Sequence, residues 1–182
     1  PLIIILYEVC FNKDKLKEVQ KLIPHVENID LDLPEIQDLD PMKIITEKLK
    51  VATKEREGEF FVEDTSLYLE CLNGFPGPLI KWLEQSLTIP EIYNLVSKYD
   101  NHQARAKTVI GYSNGQDIHF FVGELSGEIV EPRGTNDFGW GPIFQPEGYQ
   151  QTFGEMSREL KNKVSMRKTA LVKFKEFLEK HS

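Results

Sequence analysis

Apolar residues follow two rhythms along this chain, and each change of rhythm marks an element. Leu2 to Val9 is almost unbroken apolar sequence, the pattern of a strand buried on both faces. The loop Cys10-Phe11-Asn12-Lys13-Asp14 follows. Leu16, Val19, Leu22 and Ile23 then recur at helical spacing, with Asn12 or Asp14 placed to cap the helix. Ile29 to Leu33 alternates and predicts a strand. Asp40-Pro41 supplies an N-cap and a first-position proline. Ile45, Leu49 and Ala52 make one face of the helix through about Glu57, and Gly58 ends it.

The middle of the chain is organised around Phe60 to Trp82. Phe60-Phe61-Val62 reads as a buried strand, and it runs into two adjacent carboxylates, Glu63 and Asp64, at its predicted end. Carboxylates there carry a desolvation cost unless a cation compensates, and either a metal ion or a lysine would serve. Gly74-Phe75-Pro76-Gly77-Pro78 then turns the chain into a predicted helix carrying Lys81. Ile92, Leu95, Val96 and Tyr99 predict a helix over Glu91–Tyr99. Ala104–Tyr112 and Ile118–Leu125 read as strands joined by Asn114-Gly115, the strongest hairpin signal in the chain. Pro132 to Pro142 reads as a long irregular loop. Thr152 with Glu155 fits a capping box opening a short helix. The last helix, about Ser165 to Glu179, has Ala170, Leu171, Phe174, Phe177 and Leu178 as its buried stripe. Mixed strands and helices with hairpins predict an α/β or α+β fold, a twisted sheet wrapped by helices. With no repeat and no low-complexity linker, all 182 residues are expected in a single domain.

Composition narrows the partners. At 40% hydrophobic and 28% charged the chain reads as globular, and no apolar run reaches the roughly 20 residues that span a bilayer. The apolar start lacks a basic leader and reads as a strand rather than a signal peptide. Cys10 and Cys71 have no metal-ligand spacing and make no disulfide framework, so a cytoplasmic location is expected. A net charge of −7 argues against a nucleic-acid or membrane surface. A small polyanion remains admissible, because a few lysines and a divalent cation reverse the local field.

Several residues could carry chemistry. Glu35, Glu63 and Asp64 offer oxygen ligands, and a hard cation such as Mg²⁺ needs only one or two carboxylates when phosphate oxygens complete its shell. Each also reads as a solvated carboxylate. The first helix start, with Lys13 and Lys15, either holds phosphate oxygens or is a solvated first turn. Phe138 and Trp140 either stack on a nucleobase or cover the edge of the core. Arg167 is a donor-only group, able to bond a purine carbonyl but not a purine amino group; otherwise it is a helix-surface arginine. His25, His102, His119 and His181 have no partner at catalytic spacing.

Assembled, these stretches resemble the inosine triphosphate pyrophosphatase family, also called the Ham1 family, in its eukaryotic and archaeal branch. The motifs that carry the resemblance are Asp32-Leu33-Pro34-Glu35, Val62-Glu63-Asp64-Thr65, Gly74 through Trp82, Gly127 through Gly134, Asp137-Phe138-Gly139-Trp140, Lys161-Asn162, and Ser165 with Arg167. The resemblance implies an elongated α/β fold of two lobes with a nucleotide cleft between them, and usually a homodimer. It implies a hydrolase that converts ITP, dITP and XTP to the monophosphate and pyrophosphate with Mg²⁺. By position, Glu35 and Asp64 would hold the metal, with Asp64 also the base for the attacking water. The first loop, Cys10 with Asn12, would meet the triphosphate, as would Lys15, Lys48, Lys81 and Thr65; Lys15 and Lys48 would assist catalysis. Phe138, Trp140, Lys161 and Arg167 would hold base and sugar.

The chain departs from the family pattern in three places. Its Thr-Gly-Asn loop is Cys10-Phe11-Asn12, its aspartate after the tryptophan is Gly141, and its histidine before the arginine is Met166. The first lies at the phosphate end of the ligand site and the other two at the base end. Two functions follow: a pyrophosphatase with altered base choice, or a catalytically weak nucleotide-binding homologue.

Overall fold

The computed structural model describes residues 6–9, 13–31, 33, 35–137 and 139–181; within these, the side chains of Val9, Lys13, Asp14, Lys15 and Glu18 are outside the description. In order come β1 (Leu6–Val9), α1 (Lys13–Leu22), β2 (Val26–Ile29), α2 (Pro41–Glu55), β3 (Glu59–Leu69) and β4 (Pro76–Gly77). Then follow α3 (Ile80–Ser86), α4 (Ile89–Val96), β5 (Gln103–Ser113), β6 (Ile118–Ile129), β7 (Phe144–Pro146), α5 (Arg158–Val164) and α6 (Met166–His181). The described strands form one open sheet in the order β2-β1-β3-β5-β6-β7, with β4 on β3. It is mixed: β1 runs parallel to β2 and β3, whereas β4 is antiparallel to β3 and β7 to β6. Two compact units share this chain, Pro1–Asp64 with Val109–Val122 and Thr169–Ser182, and Thr65–Thr108 with Gly123–Lys168.

In the first unit the apolar runs explain themselves. Successive residues of a strand point to opposite faces, so Leu6, Phe61 and Ile110 join Val19 of α1 and Ala170, Leu171 and Phe174 of α6. Their neighbours Tyr7, Phe60, Val62 and Val109 join Ile45, Leu49 and Ala52 of α2. Helices on both faces are why Phe60-Phe61-Val62 is apolar without alternation. Asp40 caps α2 through its side chain, which accepts the Met42 N–H at 2.9 Å, with Pro41 in the first turn. Gly111 lets α2 press onto β5, because a Cβ there would run into the Ile45 side chain. The second unit has one core, in which Leu67, Leu69, Ala104, Ala106, Ile129 and Phe144 of the sheet meet Ile80, Ile92 and Val96 of α3 and α4.

Several boundaries differ from expectation. The alternating stretch 29–33 is not the strand; β2 is Val26–Ile29, whose register with β1 begins at Leu6↔Val26. Backbone pairing decides a strand, and Leu31 and Leu33 keep their alternation as half-buried packing beyond it. β3 does not end at Asp64 but continues to Leu69, since Leu67 and Leu69 bury into the second unit's core. α3 starts two residues after Pro78. α4 starts at Ile89 rather than Glu91 and ends at Val96, because Thr88 and Glu91 form a reciprocal capping box. β6 extends past Leu125 to Ile129, where β7 pairs with it. Thr152 and Glu155 do bond reciprocally, but no helix follows directly. The Thr152 hydroxyl also donates to Arg133 O at 2.8 Å, so the box closes a turn against the preceding loop, and α5 starts from its own cap, Ser157.

The hairpin is as predicted: Asn114 Oδ1 accepts from Gln116 N and Asp117 N, and Gly115 has φ +89°. The strand expected over Leu2–Val9 is described only from Leu6. No helix among the described residues is long and apolar enough to cross a membrane.

Candidate active site

Sequence-predicted residues fall in both units, and each unit arranges its own. In the first, Lys48 lies on α2 beside the Ile45–Leu49–Ala52 face, and its stem is largely covered. Its Nζ reaches Glu35 Oε1 at 3.2 Å, across 13 residues of sequence. Thus the structure joins an expected metal carboxylate to an expected phosphate lysine. The Glu35 side chain stays 47% exposed. An ion pair of that exposure adds little stability, about 1 kcal/mol at most, so its value lies in placing two groups together.

Asp64 sits in β3 at the point where burial lapses. Glu63, Asp64 and Thr65 are half-buried, between Phe60-Phe61-Val62 and Ser66-Leu67, which are buried. Among the described residues, β1 pairs with Glu59 to Phe61 and β4 with Leu67 and Tyr68. Asp64 is held within the 11-residue strand β3.

In the second unit, the Thr65 hydroxyl lies 3.1 Å from that of buried Thr108 on β5. Lys81 is exposed at the start of α3. Trp140 is half-buried, edge-on to Phe144 at 5.4 Å and tilted against Phe153 at 6.1 Å. The core-edge reading of this tryptophan is therefore part of its role. Lys161 Nζ stands 5.3 Å from the Phe153 ring centre and 2.7 Å from Asp137 Oδ2. Trp140 and Lys161 thus meet around one phenylalanine. Arg167 is buried at the start of α6, not a surface arginine. Cys10, Asn12, Phe138 and the side chain of Lys15 lie outside the described residues.

The departures at Gly141 and Met166 have structural correlates. Met166 is buried in the second unit's core. Gly141 is buried too, and a Cβ on it would run into the Asp137 carboxylate. Asp137 stands in the motif Asp137-Phe138-Gly139-Trp140 but was given no role from the sequence; the signal available was Lys161, a lysine that needs a counter-charge once partly covered. Glu84 of α3 was missed for the same reason, since nothing in a short helix marks one glutamate as buried. Burial pushes its carboxyl above the ordinary value of 4.5; the Trp140 backbone N–H opposes this and the charge of Asp137 adds to it.

An open mixed sheet with helices packed on it defines an α/β protein, with Glu35 and Lys48 paired in the first unit and Trp140 and Lys161 packed on Phe153 in the second. Solved structures agree on the fold. A Ham1 protein from Staphylococcus aureus superposes with a TM-score of 0.85 at 23% identity, covering 97% of this chain and 99% of that one. A HAM1 protein from Coxiella burnetii gives 0.85 at 25% identity, covering 96% and 98%. By sequence, the chain is 41% identical to the inosine triphosphate pyrophosphatase of Schizosaccharomyces pombe over 94% of its own length and 93% of the relative's. It is 42% identical to that of Candida glabrata, over 93% and 95%. The sequence profile of the Ham1 family matches residues 6–177. The chain belongs to the Ham1 family.

Proposed function

We propose that this protein is a nucleoside triphosphate pyrophosphatase acting on non-canonical purine nucleotides, ITP, dITP and XTP. The observation that carries this reading is its identity of 41% and 42%, over nearly full lengths, to two inosine triphosphate pyrophosphatases. The Glu35–Lys48 pair and half-buried Asp64 supply chemistry of the right kind.

The reaction needs water to attack the α-phosphorus while the bond from that phosphorus to the bridging oxygen breaks, releasing pyrophosphate and the monophosphate. Asp64 accepts the proton of the attacking water, held in line by its strand. Lys48, Lys15 and Lys81 neutralise charge on the triphosphate, Asn12 and Thr65 add hydrogen bonds, and the Cys10 backbone borders the same group. Trp140, Phe138, Lys161 and Arg167 hold base and sugar; Arg167 donates to a carbonyl at purine position 6 and cannot accept from an amino group there. Glu35 and Asp64 fit a hard divalent cation such as Mg²⁺, since both are oxygen donors and the Glu35 side chain is 47% exposed. When bound, the cation polarises the phosphate oxygens and screens their charge. A cytoplasmic homodimer without nucleic-acid or membrane partners completes the reading.

Pyrophosphate release from ITP, XTP, dITP, GTP and ATP with Mg²⁺ tests it. Turnover is expected on the first three, and Asp64→Asn should abolish it while the melting temperature holds. No turnover on any nucleotide would instead leave the nucleotide-binding homologue.

A further inference from the structure

A carboxylate with no part in the reaction above stands in the second unit beside Lys161. The Asp137 side chain is 8% exposed, and its Oδ2 lies 2.7 Å from Lys161 Nζ. A covered carboxylate is costly unless a cation answers it, and Lys161 does. The pair is uneven. The lysine side chain is 27% exposed, so the carboxylate is the covered partner and the lysine the outer one. The same ammonium lies 5.3 Å from the centre of the Phe153 ring, against which Trp140 is tilted at 6.1 Å. A lysine carries its charge on a flexible four-carbon stem, so a fixed carboxylate narrows where that charge can stand. The loop backbone makes room for this carboxylate. Gly141, where the family pattern has aspartate, is buried, and a Cβ on it would run into Asp137 Oδ2 and stand 2.6 Å from Cγ. A side chain at 141 and the carboxylate of Asp137 therefore compete for one space, and this chain fills it from 137.

We propose that Asp137 is a positioning residue for substrate: it fixes the Lys161 ammonium against the ring on which Trp140 also packs, supplying from four residues upstream the carboxylate that the family pattern places at 141. This rests on the function proposed above, in which Lys161 and Trp140 hold base and sugar. Asp137 acts through Lys161 and meets none of the phosphate-binding groups in that scheme, so its effect falls on nucleotide binding and not on phosphoryl transfer.

The test removes the carboxylate and then returns it from the other position. Steady-state kinetics with ITP should show KM raised about tenfold in Asp137→Ala with kcat within about twofold. The double variant Asp137→Ala, Gly141→Asp should bring KM back to within about threefold of the parent. In a Lys161→Ala background, Asp137→Ala should change KM by less than about twofold, because the residue it acts through is gone. Binding is read without turnover by titrating ITP in EDTA. The chain has two tryptophans, so a Trp82→Phe background leaves Trp140 as the only indole emitter, and the Kd from its emission should rise about tenfold in Asp137→Ala. Melting curves check folding, and Asp137→Asn, of the same size, serves if alanine is not tolerated. Unchanged KM and Kd would overturn the proposal, as would a fall confined to kcat, an undiminished effect of Asp137→Ala without Lys161, or a folded double variant that recovers nothing. If the parent binds ITP but turns over no nucleotide, the functional reading falls while the Kd comparison still decides the role of Asp137. A parent that neither binds nor cleaves ITP overturns both.

Discussion

Replacing Gly141 with aspartate, the family residue at this position, should damage this particular chain. A Cβ there runs into the Asp137 carboxylate, and it meets the Asp137 Cβ at 2.8 Å. Asp137 cannot yield freely, because its side chain is 8% exposed and tied to Lys161 at 2.7 Å. Gly141 is not among the residues with positive φ, so the backbone accepts aspartate and the cost is one of space and charge. Forcing extra atoms into a packed site costs about 1–3 kcal/mol. The loss of glycine's freedom in the unfolded chain returns about 0.4–1 kcal/mol. A net destabilisation of about 1–2 kcal/mol follows, or roughly 2–8 °C in melting temperature for a chain of this size. The assay is thermal or urea unfolding of Gly141→Asp, Asp137→Ala and the double variant. With Asp137 truncated, the new aspartate has room and can take Lys161 as its counter-charge, so the double variant should be more stable than the two single costs predict, by at least 0.5 kcal/mol. A Gly141→Asp variant as stable as the parent would refute the steric argument. Strict additivity would refute the role given to Asp137.

Three further outcomes follow from the same coordinates. Met166→His, the other return to the family pattern, puts an imidazole into an apolar core and should cost about 1–3 kcal/mol in urea unfolding. Gly111→Ala pushes a methyl into Ile45 and should lower stability by about 1–3 kcal/mol, with part recovered by Ile45→Val. The raised Glu84 carboxyl gives a pH signature. The folded state holds that proton more tightly than the unfolded state does, so its contribution is full below the ordinary value of 4.5 and is lost as pH rises through the raised folded value. Parent stability relative to Glu84→Gln should therefore fall as pH rises above that ordinary value, and a constant difference in melting temperature across pH would contradict the burial argument.

Much of the fold was legible because its determinants are local. Asp40-Pro41 capped a helix as the two residues require, and Asn114-Gly115 made its turn. The apolar run at Phe60-Phe61-Val62 met helices on both faces. Errors arose where partners lie far along the chain. Ile29 to Leu33 alternates as a strand should, yet β1 pairs earlier, with Val26 to Ile29. The Thr152–Glu155 box formed and still opened no helix, because the Thr152 hydroxyl was also engaged by Arg133 O.

The sequence by itself determined the family, most of the elements and the residue types available for chemistry, since motif order and hydrophobic period are properties of the chain. It marked Asp64, Lys48, Glu35 and Trp140 one by one, and it marked Gly141 and Met166 as departures. Tertiary structure decided what those marks mean. It put Lys48 on Glu35, left residues 63–65 half-buried between buried stretches of β3, and filled the space beside Gly141 with Asp137. It also buried Glu84 Oε1 against Gly139. Charge pairing and burial depend on which distant segments meet, and only the folded chain specifies that.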